Sequence, residues 1–336
     1  MPNMIGLVEG PAQIDMIYQG KAQGPVASKL LANGLNINAL RTNDILQYDE
    51  WKLIDTAVIE AAEKRMVGAN DLISRGLVLD LGGRGMGIPV IQWQTSGSGN
   101  AASMDMSSLA RGPADRIEYD TNYLPLPIIH KSFFFDIRTL DMGRRMGIPI
   151  DTAHAADAAI RIGEKVEGVL FNGASSYKFG GGTIRGYRDF DYRTTGSLAA
   201  AWTASAADPV QDIIDMKQDA INDRHYGDYG VYIPTAYESV LDKDYNATYP
   251  SGTIRNRILA IGGISFIRVA DHMTAGSVVL VELQKSTVEL VIGLPLTTVQ
   301  WDVQGGLGVE FKLITIMIPR IRADQNQRSG IVHYSA

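Results

Sequence analysis

Cysteine is absent from the 336 residues, which excludes disulfides, thiolate nucleophiles and Cys-based zinc or iron-sulfur sites, and makes cytosolic assembly the simplest expectation. The start, Met1-Pro2-Asn3-Met4, has neither a basic nor an apolar targeting segment, which argues against secretion by a cleaved signal. No apolar run approaches the roughly 18 residues needed to span a bilayer. Charge of one sign is scarce too. Lys+Arg 31 against Asp+Glu 37 leaves a net charge of −6 with no long block of either sign, whereas a sequence-specific nucleic-acid reader concentrates a basic face. What is present is ordinary globular composition, 45% hydrophobic and 20% charged, too apolar for a disordered chain. At roughly 150 residues per domain, the length allows about two cores, or one large domain with appendages.

Residues 1–42 mix Gly, Pro, Asn, Gln and Ala with scattered Leu and Ile, and show no sustained period. Such an arm cannot bury enough surface alone, so it is expected to be held by neighbouring copies. A helix follows in the 43–76 region, capped by Thr42 or Asn43, with Trp51, Ile54, Val58, Ala61 and Ala62 at steps of three and four and an end near Gly68. Residues 77–118 have strand-like ends, Leu77-Val78-Leu79 and Val90-Ile91-Gln92-Trp93, broken by glycines and followed by a small, polar stretch from Thr95 to Ser108. They read as a long two-stranded excursion whose arms, at about 15 residues each, would reach about 50 Å.

Residues 124–140, with Phe133, Phe134 and Phe135, suit a buried strand. A helix over 151–171 is well signalled: Asp151 or Thr152 caps it, Ala156, Ile160, Gly163, Val166 and Leu170 form one stripe, and Asn172-Gly173 ends it. Its many small residues let another backbone approach closely. Residues 174–207 read as loop. Asp208-Pro209 opens a helix, Val231-Tyr232-Ile233 reads as a strand, and helical turns near 235–242 and 253–261 alternate with strands near 264–269 and 277–283. Residues 286–320 return to extended character, and Ile331-Val332 is a closing strand.

Chemistry-bearing motifs are few. Gly180-Gly181-Gly182-Thr183 lacks the Lys-Ser/Thr of a phosphate loop and reads as a turn. Asp151, His154 and Asp157 share a side of the 151–171 helix at metal-compatible spacing, but acidic residues at a helix N-terminus are accounted for by its dipole, so no metal and no cofactor are expected. Asp189 and Asp191 alternate with Arg188 and Arg193, either a glycosidase-like pair or a salt-bridged loop. Tyr226, Tyr229, Tyr232 and Tyr237 with Arg224 read as a stacking surface or, more simply, as half-buried packing. No catalytic residue is expected, and a soluble hydrolase using Asp189 and Asp191 is a remote alternative.

The order of elements resembles the subunit of HK97-fold shells, an α+β fold shared by tailed-bacteriophage major capsid proteins and encapsulin nanocompartments. Ile162-Gly163-Glu164-Lys165-Val166-Glu167-Gly168-Val169-Leu170-Phe171-Asn172-Gly173 is similar to the end of the spine helix in both families, where paired acidic residues run into Phe-x-Gly. Val288-Glu289-Leu290-Val291-Ile292-Gly293 is similar to their C-terminal region. The resemblance implies an N-terminal arm (1–42), an E-loop (77–118) lying over an adjacent subunit, and a peripheral domain (119–207) built on the spine helix 151–171. It further implies an inserted axial domain (208–283) and a return to the peripheral sheet (284–336).

Implied with the fold is a homo-oligomer of hexamers and pentamers closing an icosahedral shell. The length and the extended arm favour a phage capsid over an encapsulin holding a cargo enzyme. That reading brings packaged double-stranded DNA held without sequence-specific contacts, possible scaffolding, portal and decoration partners, no membrane, and a virion assembled in the bacterial cytoplasm. The chain begins at Met1, which predicts that no scaffolding segment is removed from it. Residues 77–118 contain no lysine, so a shell held by noncovalent contacts is expected. Arg84, Trp93, Asp105 and Arg111 of the long loop are the expected inter-subunit contacts, because exposed Arg and Trp side chains are costly without a partner surface.

Overall fold

The computed structural model describes residues 48–82, 84–96, 104, 106, 119–146, 152–245, 252–303, 307–324 and 326–336. The expected arm of residues 1–42, and Asp105 and Arg111 of the expected loop, lie outside them.

Helix α1 (Tyr48–Glu63) buries Ile54, Val58 and Ala62 at the expected steps. It stops short of Gly68, and a second helix, α2 (Val67–Ser74), contains that glycine. The reason is packing: a Cβ at Gly68 would press into Leu170 and Phe171, so the glycine marks a close approach and not a helix end. Strand β1 (Val78–Asp80) and a 3₁₀ turn (Arg84–Gly87) precede the antiparallel pair β2 (Val90–Ser96) and β3 (Tyr119–Pro125), which run in register from Val90↔Pro125 to Ser96↔Tyr119. One strand of the ladder thus lies within residues 77–118 and its partner just beyond them, while the first expected strand of the excursion joins a sheet.

Strand β4 (Ile129–Asp136) corrects the expected buried strand over 124–140. It is an edge strand: Phe135 is buried while His130, Lys131, Ser132 and Phe134 are exposed. Helix α3 (Ile137–Met146) begins at Ile137, inside the stretch to residue 140 that was expected to stay extended.

The spine helix α4 (Ala153–Asn172) is about 30 Å long and ends at Gly173, whose φ of 68° only glycine adopts readily. Ala155, Ala158 and Ala159 are buried, and a Cβ on Gly163 would lie 3.3 Å from Ala62 O, so the small-residue face is where α1 crosses. Strands β5 (Ala174–Phe179) and β6 (Gly182–Ile184) form a hairpin in place of the expected loop. Its turn, Gly180 (φ 57°) and Gly181 (φ 82°), has both central residues left-handed, as a tight two-residue hairpin requires.

Strand β7 (Thr194–Ser197) precedes helix α5 (Pro209–Asn222), which Asp208 caps by accepting from the amides of Val210 and Gln211. Strand β8 (Tyr229–Ile233), short helices α6 (Glu238–Leu241) and α7 (Ile254–Leu259), and strands β9 (Ile264–Val269) and β10 (Ser277–Glu282) match the expected alternating module. The long strands β11 (Val288–Val303) and β12 (Gly308–Ile321) follow, and β13 (Ile331–Ser335) closes the chain.

Two sheets result. The first has the order β1-β11-β12-β4, carries the spine helix, and stacks Phe133 on Phe311 with ring centroids 5.1 Å apart. The second has the order β7-β13-β10-β8-β9. The closing strand therefore lies away from the first sheet, to which residues 284–336 were expected to return, and β7 lies outside the expected 119–207 body. Alternation explains this placement. Tyr229, Val231 and Ile233 of β8, Val278 and Leu280 of β10, and Val332 and Tyr334 of β13 face α5 and Trp202, while Tyr232, Val279, Val281 and Ile331 join the core under the spine helix. Strands apolar on both faces need cover on both, which the middle of a sandwiched sheet supplies.

Candidate assembly surface

The β2–β3 ladder packs on the first core through Leu124, Ile91 and Trp93, and its base is clamped from two sides. On one, the β5–β6 turn docks: a Cβ at Gly180 would meet Val90 Cγ2 at 2.6 Å, and Gly182 lies against the backbone of Tyr123. On the other, Gly85 of the 3₁₀ turn packs on Gly293 of β11 so closely that a Cβ would overlap the Gly293 backbone. Along these two hairpins Tyr119, Tyr123, Tyr177 and Phe179 are exposed, with Tyr119 at 61%. Beyond the ladder, Met104 is fully open at 97%. Large side chains left in water at the end of a rigidly based projection form a surface ready for a partner.

Of the expected contact residues, Arg84 lies on the exposed 3₁₀ turn at the ladder's base. Trp93 is half-buried against its own subunit: it packs on the core, and the Arg320 guanidinium sits 5.8 Å from its ring centroid. Arg320 and Glu289 face each other across the β11–β12 ladder as a buried ion pair, and Arg322 also reaches Glu289 at 2.7 Å. Burial and the charge of Arg320 lower the pKa of Arg322. The structure thus ties Trp93 to a charged network of the first sheet. The β5–β6 hairpin was missed by sequence reasoning, although Tyr177-Lys178-Phe179 and Thr183-Ile184 flanking a glycine pair carried the signal.

Other buried polar groups fasten elements to one another. Glu167 of the spine accepts from Ala69 N at 2.9 Å, so a carboxyl from one helix caps the first turn of α2. Burial pushes its pKa up to about 8, with the Asp71 and Asp271 charges adding to the rise. Asp55 of α1 accepts from Thr298 Oγ1 at 3.2 Å, and burial raises it to about 7. Burial also raises Asp71, against the pull of Arg268 at 3.0 Å and the donated hydroxyl of Tyr232.

Catalytic geometry is not assembled by the residues that sequence singled out for it. Asp189 and Asp191 are both paired to Arg185, at 3.2 and 2.7 Å. Tyr229, Tyr232 and Tyr237 are buried packing, and of the four tyrosines only Tyr226 is exposed. The described residues contain no cluster of three His, Cys, Asp or Glu side chains placed to hold a metal. Within them, no helix is long and apolar enough to cross a membrane.

Comparison with known proteins agrees with this picture. The chain is 25% identical over 203 residues to the type 1 encapsulin shell protein EncA of Myxococcus xanthus, covering 60% of this chain and 66% of that protein. It is 28% identical over 127 residues to a diheme-cytochrome-encapsulin shell fusion protein of Kuenenia stuttgartiensis, covering 38% of this chain and 33% of the fusion. These alignments thus span just under two thirds of one curated relative and a third of the other. Among solved structures, a virus-like particle from Pyrococcus furiosus superposes with a TM-score of 0.62 at 17% identity, covering 86% of this chain and 99% of that one. The capsid of Myoviridae phage XM1 superposes with a TM-score of 0.61 at 10% identity, covering 77% and 88%. The fold is therefore α+β and HK97-like, the fold of capsid and encapsulin subunits, and these relatives are structural shell proteins. Residues 38–334 match the model of a family described as a family of unknown function, DUF6260, and the chain belongs to that family.

Proposed function

We propose that this chain is the subunit of a closed, noncovalent icosahedral shell, built from hexamers and pentamers of itself. The observation that carries the proposal is the β2–β3 ladder, clamped at its base by Gly85 and the β5–β6 turn and bearing Tyr119 and Tyr123 exposed, on a fold that resembles shell subunits. In this reading the ladder lies over a neighbouring subunit, with Arg84, Trp93, Asp105 and Arg111 contributing to the contact. The spine helix and the first sheet act as the peripheral body, and the second sheet with its short helices turns toward the symmetry axes. Inside the shell we place double-stranded phage DNA, held without sequence-specific contacts, in keeping with the net charge of −6.

A second reading fills the same shell with a protein cargo, and it is supported by both curated relatives being encapsulin shell proteins. Negative-stain microscopy of the full chain expressed alone tests the shared step, and closed particles of uniform diameter are the expected result. A monomer or small oligomer on gel filtration refutes the shell. Particles recovered from the native source then separate the two fillings, by nuclease-protected DNA or by a co-purifying enzyme.

A further inference from the structure

The segment that leaves the spine helix for the second sheet carries Arg185, Arg188 and Arg193 against Asp189 and Asp191, and two of its arginines pair with neither acid. Arg188 follows the C-terminus of α4; its amide donates to Phe171 O at 2.9 Å and its Nη1 donates to Asn172 Oδ1 at 2.6 Å. Arg193, in the same segment, donates from Nη1 to Phe190 O at 2.7 Å and from Nε toward His333 Nδ1 at 3.5 Å. His333 sits in the middle of the second sheet, paired with Val279 on one side and Thr195 on the other. Nearby Arg185 is satisfied by two carboxylates. Arg188 and Arg193, by contrast, make no ion pair among the described residues, and their named partners are all neutral.

The imidazole sharpens the point. If Nδ1 accepts from Arg193, the ring proton of neutral His333 is on Nε2, and that Nε2 is buried with no acceptor. Arg188 Nε is buried without an acceptor as well. Burial and the two guanidiniums hold His333 down to about 4, and burial together with Arg193 lowers Arg188. Half-buried like charges beside orphaned donors are an unbalanced arrangement, since a sealed donor without an acceptor has given up its water for nothing. Nη2 of each guanidinium has no partner among the described residues and is not sealed off.

We propose that Arg188 and Arg193, backed by His333, form a binding site for a phosphate-type oxyanion. Two guanidiniums that make no ion pair among the described residues offer planar forks that fit the oxygens of a phosphate, a dense negative charge near neutral pH. A single carboxylate would leave one of them unpaired. Free phosphate and the backbone of a nucleic acid share this chemistry. The site does not depend on the shell reading, because binding is counted per chain whether or not particles form.

Isothermal titration of the full chain with inorganic phosphate, at ionic strength held constant with chloride, reads the site directly. Saturable binding of one phosphate per chain is expected, weakened at least tenfold in Arg188→Gln and in Arg193→Gln. Arg193→Lys keeps the charge and loses the fork, and should bind with intermediate affinity; it serves where a glutamine variant does not fold. Arg161→Gln, on the exposed face of the spine helix, should bind as the parent does. Displacement of phosphate by a short single-stranded oligonucleotide assigns the source to a nucleic acid, and its failure assigns it to free phosphate. Absence of saturable binding, or equal weakening by Arg161→Gln, overturns the proposal.

Discussion

Glu167→Gln isolates one charge from the pH dependence of folding. Glu167 is only 2% exposed and its Oε1 accepts from Ala69 N at 2.9 Å, so removing the carboxyl altogether would strand a buried amide. Glutamine keeps an acceptor in place and cannot ionise. In the unfolded chain the carboxyl loses its proton near the ordinary 4.5, whereas in the fold burial raises it to about 8. Between those values the folded state holds a proton that the unfolded state has released, so stability falls as pH rises through this window and levels off above it. At about 1.4 kcal/mol per pKa unit, the full loss is on the order of 5 kcal/mol, of which about 3 kcal/mol is felt by pH 7. Asp55, raised to about 7, acts with the same sign, and so does the raised Asp71, so the variant should flatten the profile without levelling it. Urea unfolding of disassembled subunits at pH 5, 6.5 and 8 reads this directly. The variant should match its parent near pH 5 and exceed it by several kcal/mol at pH 8. A variant with the parental slope, or one weaker than the parent at pH 8, would show that Glu167 is ionised in the fold and that burial does not hold its proton on.

Gly85→Ala should cost more than about 3 kcal/mol or prevent folding, because its Cβ would overlap the backbone of Gly293 and backbone cannot yield as a side chain can; a denaturation midpoint within error of the parent refutes that contact. Trp93→Ala should leave a cooperatively folding subunit weakened by about 1–3 kcal/mol while reducing particle yield in sedimentation far more. An unfolded chain would make Trp93 a core residue and remove it from the contact surface. Asp212→Ala should destabilise by about 1–3 kcal/mol, since Asp212 is buried and accepts from Trp202 Nε1 at 2.8 Å. An unchanged near-ultraviolet signal from Trp202 would count against it.

Elements carrying their own punctuation were legible. The spine helix announced its end through Asn172-Gly173, and α5 announced its start through Asp208-Pro209, because capping and left-handed backbone are local demands met by particular residues. Elements defined by what lies across from them were not. Gly68 looks like a stop in one dimension and is a contact in three, since only Leu170 and Phe171, about a hundred residues on, explain it. β4 and β13 are both short and apolar, yet one lies at a sheet edge and the other in a sheet interior, a difference set by neighbours. Arg188 and Arg193 looked like partners for Asp189 and Asp191, but Arg185 takes both carboxylates.

The same distinction bears on assembly. β8 and β10 are buried along their whole length because the second sheet lies between α5 on one face and the spine core on the other. Both faces of that sheet are covered from within the chain, so a neighbouring copy could meet it only at its edges and loops. Part of the apolar surface that stays in water is on the paired hairpins, where Tyr119, Tyr123, Tyr177 and Phe179 are exposed although Gly180 and Gly182 bring the two hairpins into contact. A projection that needed a neighbour to hold its shape would have to fold and bind in one step and bear the ordering cost at that moment; one fastened at its base by glycine contacts meets the neighbour already shaped. Loosening the Gly180 contact should therefore slow assembly before it weakens the subunit.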